Sequence, residues 1–232
     1  MTDAMKDERE RLVEAALSHV VFEGMGDNAI AAGARDIGMD PALARVWLPR
    51  GGADLAAAYH RRGDAALGAR LAAHPPQGRF RDRVAAAVMQ RLALSDRELA
   101  RAGAAILALP QNATLGARLV WETADAIWDA LGDRSEDVNW YSKRATLSAV
   151  YGATVLYWLG DDSPEHEATR DFLDRRIDGV MRFETFKGRV GALPGVSMLA
   201  GLATGWIRRP ENHKLPGRLR PDARHGSKGG DG

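Results

Sequence analysis

The sequence contains no cysteine among its 232 residues, which excludes disulfide bonds, thiolate nucleophiles and cysteine-based metal sites. Its six histidines never occur at the His-x-x-x-His or Glu-x-x-His spacing that places two ligands on one helix face. Walker loops, dinucleotide-binding glycine patterns and serine nucleophile elbows are also absent from the sequence. We therefore expect no cofactor, no metal and no enzymatic activity.

The sequence has few β-branched residues and lacks the alternation of polar and apolar residues that indicates strands. Alanine is frequent, and a hydrophobic content of 45% is sufficient for a core. This predicts an all-α protein. The first residues, MTDAMKDERERL, have neither the apolar run of a secretory signal nor the acid-poor composition of a mitochondrial presequence. We therefore expect a bacterial cytoplasmic protein.

Glycines, prolines and capping residues divide the chain into helices. Capping signals are expected at Asn28, at Asp40-Pro41, and at Ser95 and Asp133, which form capping boxes with Glu98 and Glu136. The predicted helices cover 7–24, 28–37, 41–49, 52–73, 79–93, 95–109, 113–131, 133–159 and 163–187. The predicted domains are a degenerate helix-turn-helix unit at 1–50, a helical ligand-binding body at 51–187, an amphipathic membrane-associating helix at 188–209 and a disordered basic tail at 210–232.

The segment from Leu12 to His60 resembles the N-terminal part of the tetracycline-repressor-like fold, in which a helix-turn-helix unit precedes a helical ligand-binding body. A DNA-binding unit needs cations for phosphates and polar side chains for base edges. The candidate recognition helix, Pro41 to Leu48, carries only Arg45, with Arg50 just beyond it. This favours a unit retained for structure, and we do not expect DNA as a partner.

The segment from Val190 to Ile207 contains no charged residue and ends next to Arg208 and Arg209. Four glycines and a proline weaken the case for a transmembrane span, so we favour a helix that lies in the membrane surface. A terminal helix docked in a groove is the alternative. The candidate membrane contacts are Val196, Leu199, Leu202, Trp206, Ile207, Arg208 and Arg209.

The stretch GDRSEDVNWYSKR, from Gly132 to Arg144, places two large aromatics side by side near the start of a helix. Trp140 and Tyr141 are about 100° apart on a helix, so at least one should lie near the surface. With the preceding ADAIW and the following DDS, this run resembles the lipid-binding accessory protein family of coenzyme Q (ubiquinone) biosynthesis, over roughly residues 8–208.

The resemblance implies a tetracycline-repressor-like fold, a homodimer, and a helical body that binds isoprenoid quinone intermediates. It implies delivery of these lipids to a di-iron demethoxyubiquinone hydroxylase, with the protein peripheral on the inner membrane. By resemblance, the partner-binding residues are Asp137, Asn139, Trp140, Tyr141, Lys143 and Arg144. We take Trp128, Leu147, Tyr151 and Leu156 as candidate lipid contacts.

Three alternatives remain open. Trp140 could cover the end of the core while Arg144 pairs with Asp137, which needs no partner protein. The chain could be a ligand-responsive transcriptional regulator of the tetracycline-repressor type. It could also be a purely structural subunit of a membrane-associated complex.

Overall fold

The computed structural model describes residues 3–133 and 138–191, and all regular structure in these two ranges is helical. The helices are α1 (Asp3–Glu23), α2 (Asp27–Asp36), α3 (Pro41–Trp47), α4 (Gly52–Ala73), α5 (Phe80–Ala93), α6 (Arg97–Leu107), α7 (Ala113–Ala130), α8 (Val138–Leu159) and α9 (Glu167–Gly191). Short 3₁₀ turns at Pro110–Asn112 and Pro164–His166 precede α7 and α9. The predicted all-α class is confirmed.

Most helix ends lie where the breakers predict them. Helix α1 stops before Gly24, whose φ of 76° is a left-handed conformation that glycine adopts without strain. Helix α3 starts with Pro41 at its first position, and the Asp40 carboxylate accepts a hydrogen bond from the Ala42 amide at 2.7 Å. Local sequence signals therefore determine these boundaries.

Two predicted caps are wrong. Helix α6 is capped by Asp96, whose carboxylate accepts a hydrogen bond from the Leu99 amide at 2.9 Å, whereas the Ser95 hydroxyl bonds to Arg91. Helix α2 begins at Asp27, and no side chain caps it. Glu136 of the other proposed capping box lies outside the described residues.

The start of α9 depends on Asp161, which lies two residues before Ser163, where the predicted helix 163–187 begins. The Asp161 carboxylate accepts hydrogen bonds from the Ser163 amide and from the amide and hydroxyl of Thr169. These hydrogen bonds hold the pKa of Asp161 well below its usual range. The Ser163 hydroxyl accepts a further bond from the Ala168 amide at 3.0 Å.

The helices form two hydrophobic cores that share α4. The N-terminal core contains residues of α1, α2 and α3 together with Leu55 and Ala56 from the first half of α4. The second core contains Leu67 and Leu71 from the last half of α4, packed with residues of α5, α7, α8 and α9. Helix α4 therefore joins the helix-turn-helix unit to the body.

Helix α3 presents little that suits DNA. Val46 on this helix is 68% exposed, and the guanidinium of Arg50 is held by the Asp54 carboxylate at 2.6 Å. Arg45 remains as the cation within the helix. These contacts are consistent with a unit retained for structure.

No helix in residues 3–133 and 138–191 is both long and apolar enough to cross a membrane. The predicted membrane contacts and the predicted tail at 210–232 lie outside the described residues. Those membrane contacts are Val196, Leu199, Leu202, Trp206, Ile207, Arg208 and Arg209.

A buried arginine connects α4 with α5. Arg91 is 3% exposed and donates hydrogen bonds to the Asp64 carboxylate at 2.7 Å, the Ser95 hydroxyl at 2.7 Å and the His60 carbonyl at 2.8 Å. Its guanidinium lies against Gly63, where an added Cβ would be 2.5 Å from the Arg91 Cζ. Glycine is therefore required at this point of α4 for close packing.

We predict that Gly63→Ala lowers the free energy of unfolding by about 2 kcal/mol, because displacing a buried, paired guanidinium outweighs the roughly 1 kcal/mol that alanine adds to a helix. The matched control is Gly68→Ala on the same helix, where an added Cβ meets nothing within 4 Å. The control should raise stability by about 0.5–1 kcal/mol. Urea unfolding followed by circular dichroism measures both changes, and equal stabilisation of the two variants would contradict the prediction.

Candidate functional site

An apolar cleft of about 590 Å³ lies between α5, α7, α8 and α9. The cleft is lined by the first turns of α5, by the last turn of α7, and by residues of α8 and α9. The apolar lining residues are Val84, Leu131, Leu147, Val150, Ile177 and Val180. A cleft of this volume and lining is typical of a site for a small hydrophobic molecule.

Two aromatic rings form one wall of the cleft. Phe80 and Trp128 are stacked, with ring centroids 5.0 Å apart and an interplanar angle of 24°. The Trp128 indole N–H donates a hydrogen bond to the Lys143 carbonyl at 3.2 Å, which fixes the ring against α8. The Lys143 ammonium lies 5.2 Å from the Trp128 centroid, so a cation covers the outer edge of this wall.

Three cations line the rim of the cleft, and each has a different partner. Arg81 forms an ion pair with Asp178 of α9. Lys143 pairs with the Asp133 carboxylate at 2.9 Å. Arg83 donates a hydrogen bond to the Leu131 carbonyl at 3.0 Å, at the end of α7.

A fully buried arginine holds α8 against α7 next to this cleft. Arg144 is 0% exposed, and three carboxylates surround its guanidinium. Asp125 accepts from Nε at 2.5 Å, Asp129 from Nη2 at 2.9 Å and Asp133 from Nη1 at 3.0 Å. The three acids are four residues apart: Asp125 and Asp129 lie on one face of α7, and Asp133 lies three residues beyond the end of the helix. We refer to Arg144 with these three aspartates as the arginine clamp.

The ring of Trp140 packs on the arginine clamp. The Arg144 Cζ lies 4.1 Å from the Trp140 centroid, and Trp140 is only 4% exposed. Trp121 of α7 and Tyr141 of α8 cover it, with ring centroids 6.0 and 4.8 Å away. Trp121 and Tyr141 are both partly exposed. We refer to Trp121, Trp140 and Tyr141 as the aromatic corner.

Of the two neighbouring aromatics, Tyr141 is partly exposed, as predicted for at least one of them, and Trp140 is buried. Trp140 and Arg144 are buried, because the clamp fills the space between α7 and α8 and the indole closes it. Tyr141 and Lys143 are partly exposed, although Lys143 lies at the cleft. Asp137 lies outside the described residues, and of Asn139 only its place in α8 is described. Among the described residues Arg144 pairs with Asp125, Asp129 and Asp133, and its alternative pairing with Asp137 lies outside the described residues.

The four predicted lipid contacts separate into two pairs. Trp128 and Leu147 line the cleft. Tyr151 is buried one turn beyond Leu147 on the same helix face and does not line the cleft, and Leu156 is 70% exposed and faces away from the core. The sequence analysis did not identify α5 and α9 as walls of the cleft, because charged residues dominate both helices. Their few apolar residues were the only sequence feature that pointed to the cleft: Phe80 and Val84 on α5, and Ile177 and Val180 on α9.

Tyr151 belongs to a buried polar network instead of the cleft. The His60 Nε2 lies 2.8 Å from the Thr123 hydroxyl, which donates to the Asp64 carboxylate at 2.9 Å. Burial raises the pKa of Tyr151 to about 12 and lowers the pKa of His60. Both groups are therefore neutral at pH 7, and the network positions α4, α7 and α8.

Among the described residues, no group of histidine, aspartate and glutamate side chains could hold a metal ion. The three aspartates of the arginine clamp converge on the Arg144 guanidinium, which occupies the position that a cation would take.

Comparison with known proteins places these helices in a family. The COQ9 family model matches residues 113–184, which include α7, α8 and most of α9. The mitochondrial ubiquinone biosynthesis protein COQ9 of Xenopus tropicalis is 31% identical over 206 residues, covering 84% of this chain and 64% of the relative. The COQ9-B protein of Xenopus laevis is 30% identical, covering 84% of this chain and 69% of the relative. The Drosophila melanogaster COQ9 protein is 32% identical over 183 residues, covering 76% of this chain and 56% of the relative.

The chain thus spans less than two thirds of the Xenopus tropicalis and Drosophila relatives. A solved structure of a TetR transcriptional regulator from Nitrosomonas europaea ATCC 19718 superposes with a TM-score of 0.53 at 17% identity. The superposed region covers 74% of this chain and 97% of the regulator. This likeness confirms the predicted tetracycline-repressor-like fold and carries no functional information.

We predict that Arg144→Met lowers the free energy of unfolding by about 3–5 kcal/mol, because three clustered carboxylates would lose their buried cation. The control is Arg79→Met, which removes an exposed pair with Asp82 and should leave the free energy of unfolding close to that of the wild type, because solvent screens an exposed ion pair. Chemical unfolding at neutral pH measures both. Similar losses in the two variants would show that the clamp contributes no more than a surface ion pair.

Proposed function

Because the chain belongs to the COQ9 family, we propose that it is a non-catalytic lipid-binding protein of ubiquinone biosynthesis. It binds an isoprenoid quinone intermediate in the cleft and presents it to the di-iron demethoxyubiquinone hydroxylase at the membrane surface. Family membership supports the role in ubiquinone biosynthesis. The lipid, the hydroxylase, the homodimer and a peripheral position on the bacterial inner membrane remain predictions.

The observation that carries the lipid proposal is the apolar cleft between α5, α7, α8 and α9. Its volume of about 590 Å³ lies within the range of small-molecule sites. Each methylene of a prenyl tail removed from water there is worth about 0.8 kcal/mol, so a carrier needs such a lining to take a lipid out of the bilayer. The family match covers three of the four walls through α7, α8 and α9.

The aromatic corner supports the proposed docking of the hydroxylase. Trp121 and Tyr141 present partly exposed rings above the buried Trp140. Aromatic side chains on a rigid base make strong interface anchors, because little conformational entropy is lost when they are covered. Tyr141 precedes the cleft residues Ser142 and Lys143 on α8, so a partner at the corner would lie within about one helix diameter of a lipid in the cleft.

The regulator alternative gains no support from the helix-turn-helix unit. The exposed Val46 and the pairing of Arg50 with Asp54 leave α3 with little for phosphates.

We predict that Thr146→Trp abolishes lipid binding, because Thr146 lines the cleft from a partly exposed position and an indole there would occupy the cleft. Leu156→Trp, on an exposed face of the same helix, is the matched control. Protein purified without detergent is extracted, and bound isoprenoid lipids are quantified by mass spectrometry. The wild type and the control should carry lipid, and Thr146→Trp at least about tenfold less. A lipid-free wild type, or equal amounts in all three proteins, would contradict the proposal.

We predict that Tyr141→Ala weakens binding to the purified hydroxylase by about tenfold or more, as expected for an interface anchor. The control is Tyr157→Ala, which removes another partly exposed tyrosine of α8, stacked on Phe172 and distant in sequence from the corner. Surface plasmon resonance with both variants gives the two affinities. The docking proposal fails if Tyr141→Ala binds as tightly as the wild type.

A further inference from the structure

We propose that Arg83 anchors the polar end of the cleft's ligand, so that the cleft selects amphiphiles whose polar end carries an acceptor oxygen and binds a negatively charged oxygen most tightly. This inference rests on the proposed lipid-binding function and adds the chemistry of the head that the cleft accepts.

The cations on the cleft rim differ in whether a carboxylate offsets their charge. Arg81 is paired with Asp178, and Lys143 is paired with Asp133. Among the residues whose side chains the structure describes (3, 5–133 and 140–180), Arg83 has no carboxylate partner. The described part of the rim therefore carries one positive charge that no described carboxylate offsets.

Two contacts fix the position of the Arg83 guanidinium. Its Nη2 donates to the Leu131 carbonyl at 3.0 Å, and its Cζ lies 5.9 Å from the Phe80 centroid. These two contacts hold the guanidinium at the aromatic wall of the cleft, where both residues contribute to the lining. An anchoring group has to be fixed before the ligand arrives, and these contacts supply that fixation.

The contact with Leu131 also has a simple structural reading, in which Arg83 caps the C-terminus of α7. That role uses one of five N–H donors, and a helix end offers at most about half an elementary charge. The remaining donors and charge match an oxygen acceptor at the end of an apolar ligand. Planar donor pairs of arginine suit phosphate and carboxylate oxygens in particular.

The ligand would then lie with its head at Arg83 and its apolar tail against Val84, Leu147, Val150 and Ile177. Lys143, already paired with Asp133, adds a second positive group on the other side of Trp128. A phosphate ester, an ionised phenol and a carbonyl oxygen all share the required acceptor chemistry, with decreasing negative charge.

The test uses two probes with the same tail, decyl phosphate and decanol, each titrated into the full-length protein by calorimetry below its aggregation concentration. The wild type should bind decyl phosphate about tenfold more tightly than decanol. Arg83→Gln should remove most of this preference, with a much smaller loss of decanol binding than of decyl phosphate binding, and Arg83→Lys should restore part of it. Arg79→Gln, which changes an exposed arginine outside the cleft lining, should behave as the wild type.

Each remaining outcome decides one question. Equal affinities of the two probes for the wild type, or a preference that survives Arg83→Gln, would overturn the inference and leave lipid binding intact. If inorganic phosphate alone binds as tightly as decyl phosphate, Arg83 is a site for free anions, and the inference that the cleft selects amphiphiles is overturned. Decyl phosphate binding that Thr146→Trp does not reduce would place the site outside the cleft and overturn the inference. If neither probe binds the wild type, the proposed function fails as well.

Discussion

The arginine clamp is the interaction on which the candidate site depends. A guanidinium without solvent contact is tolerable only when its charge is neutralised and its donors are satisfied, and Asp125, Asp129 and Asp133 do both. Because Asp133 lies three residues beyond the end of α7, the clamp also ties the segment that follows that helix to α8. The same carboxylate bonds to Lys143 on the cleft rim, and Trp140 packs on the guanidinium from the other side. One buried charge thus supports both the cleft and the aromatic corner.

The fold was largely predictable, because glycine, proline and short polar side chains act locally on helix ends. The stops after α1 and α2 and the start of α3 lie within a few residues of where Gly24, Gly38 and Pro41 predict them. The choice of capping residue was less predictable, since Ser95 and Asp96 are both competent and tertiary contacts decide between them. Ser95 bonds to the buried Arg91, which leaves Asp96 to cap α6.

The site was predictable only in part. Among the residues that the family motif singles out, Trp128 and Lys143 line the cleft and Tyr141 is partly exposed, but the motif gave no information on burial. The spacing of Asp125, Asp129 and Asp133 at four-residue intervals was the available signal for the clamp, and it acquires meaning only when α8 is placed against α7. Leu156 was wrongly expected to be buried, because it lies in an uncharged stretch of helix. Such a stretch does not have to be buried on every side, and Leu156 is 70% exposed.

Helix α4 gives the helix-turn-helix unit a structural role that does not depend on nucleic acid. Its 22 residues run without a break from one core into the other. Removing the N-terminal unit would strip the apolar cover from Leu55 and Ala56 and fray the half of α4 that leads into the body. The two cores should therefore melt in a single cooperative transition, with α4 acting as a common strut. The helix-turn-helix unit would then act as the support for the helices that form the cleft.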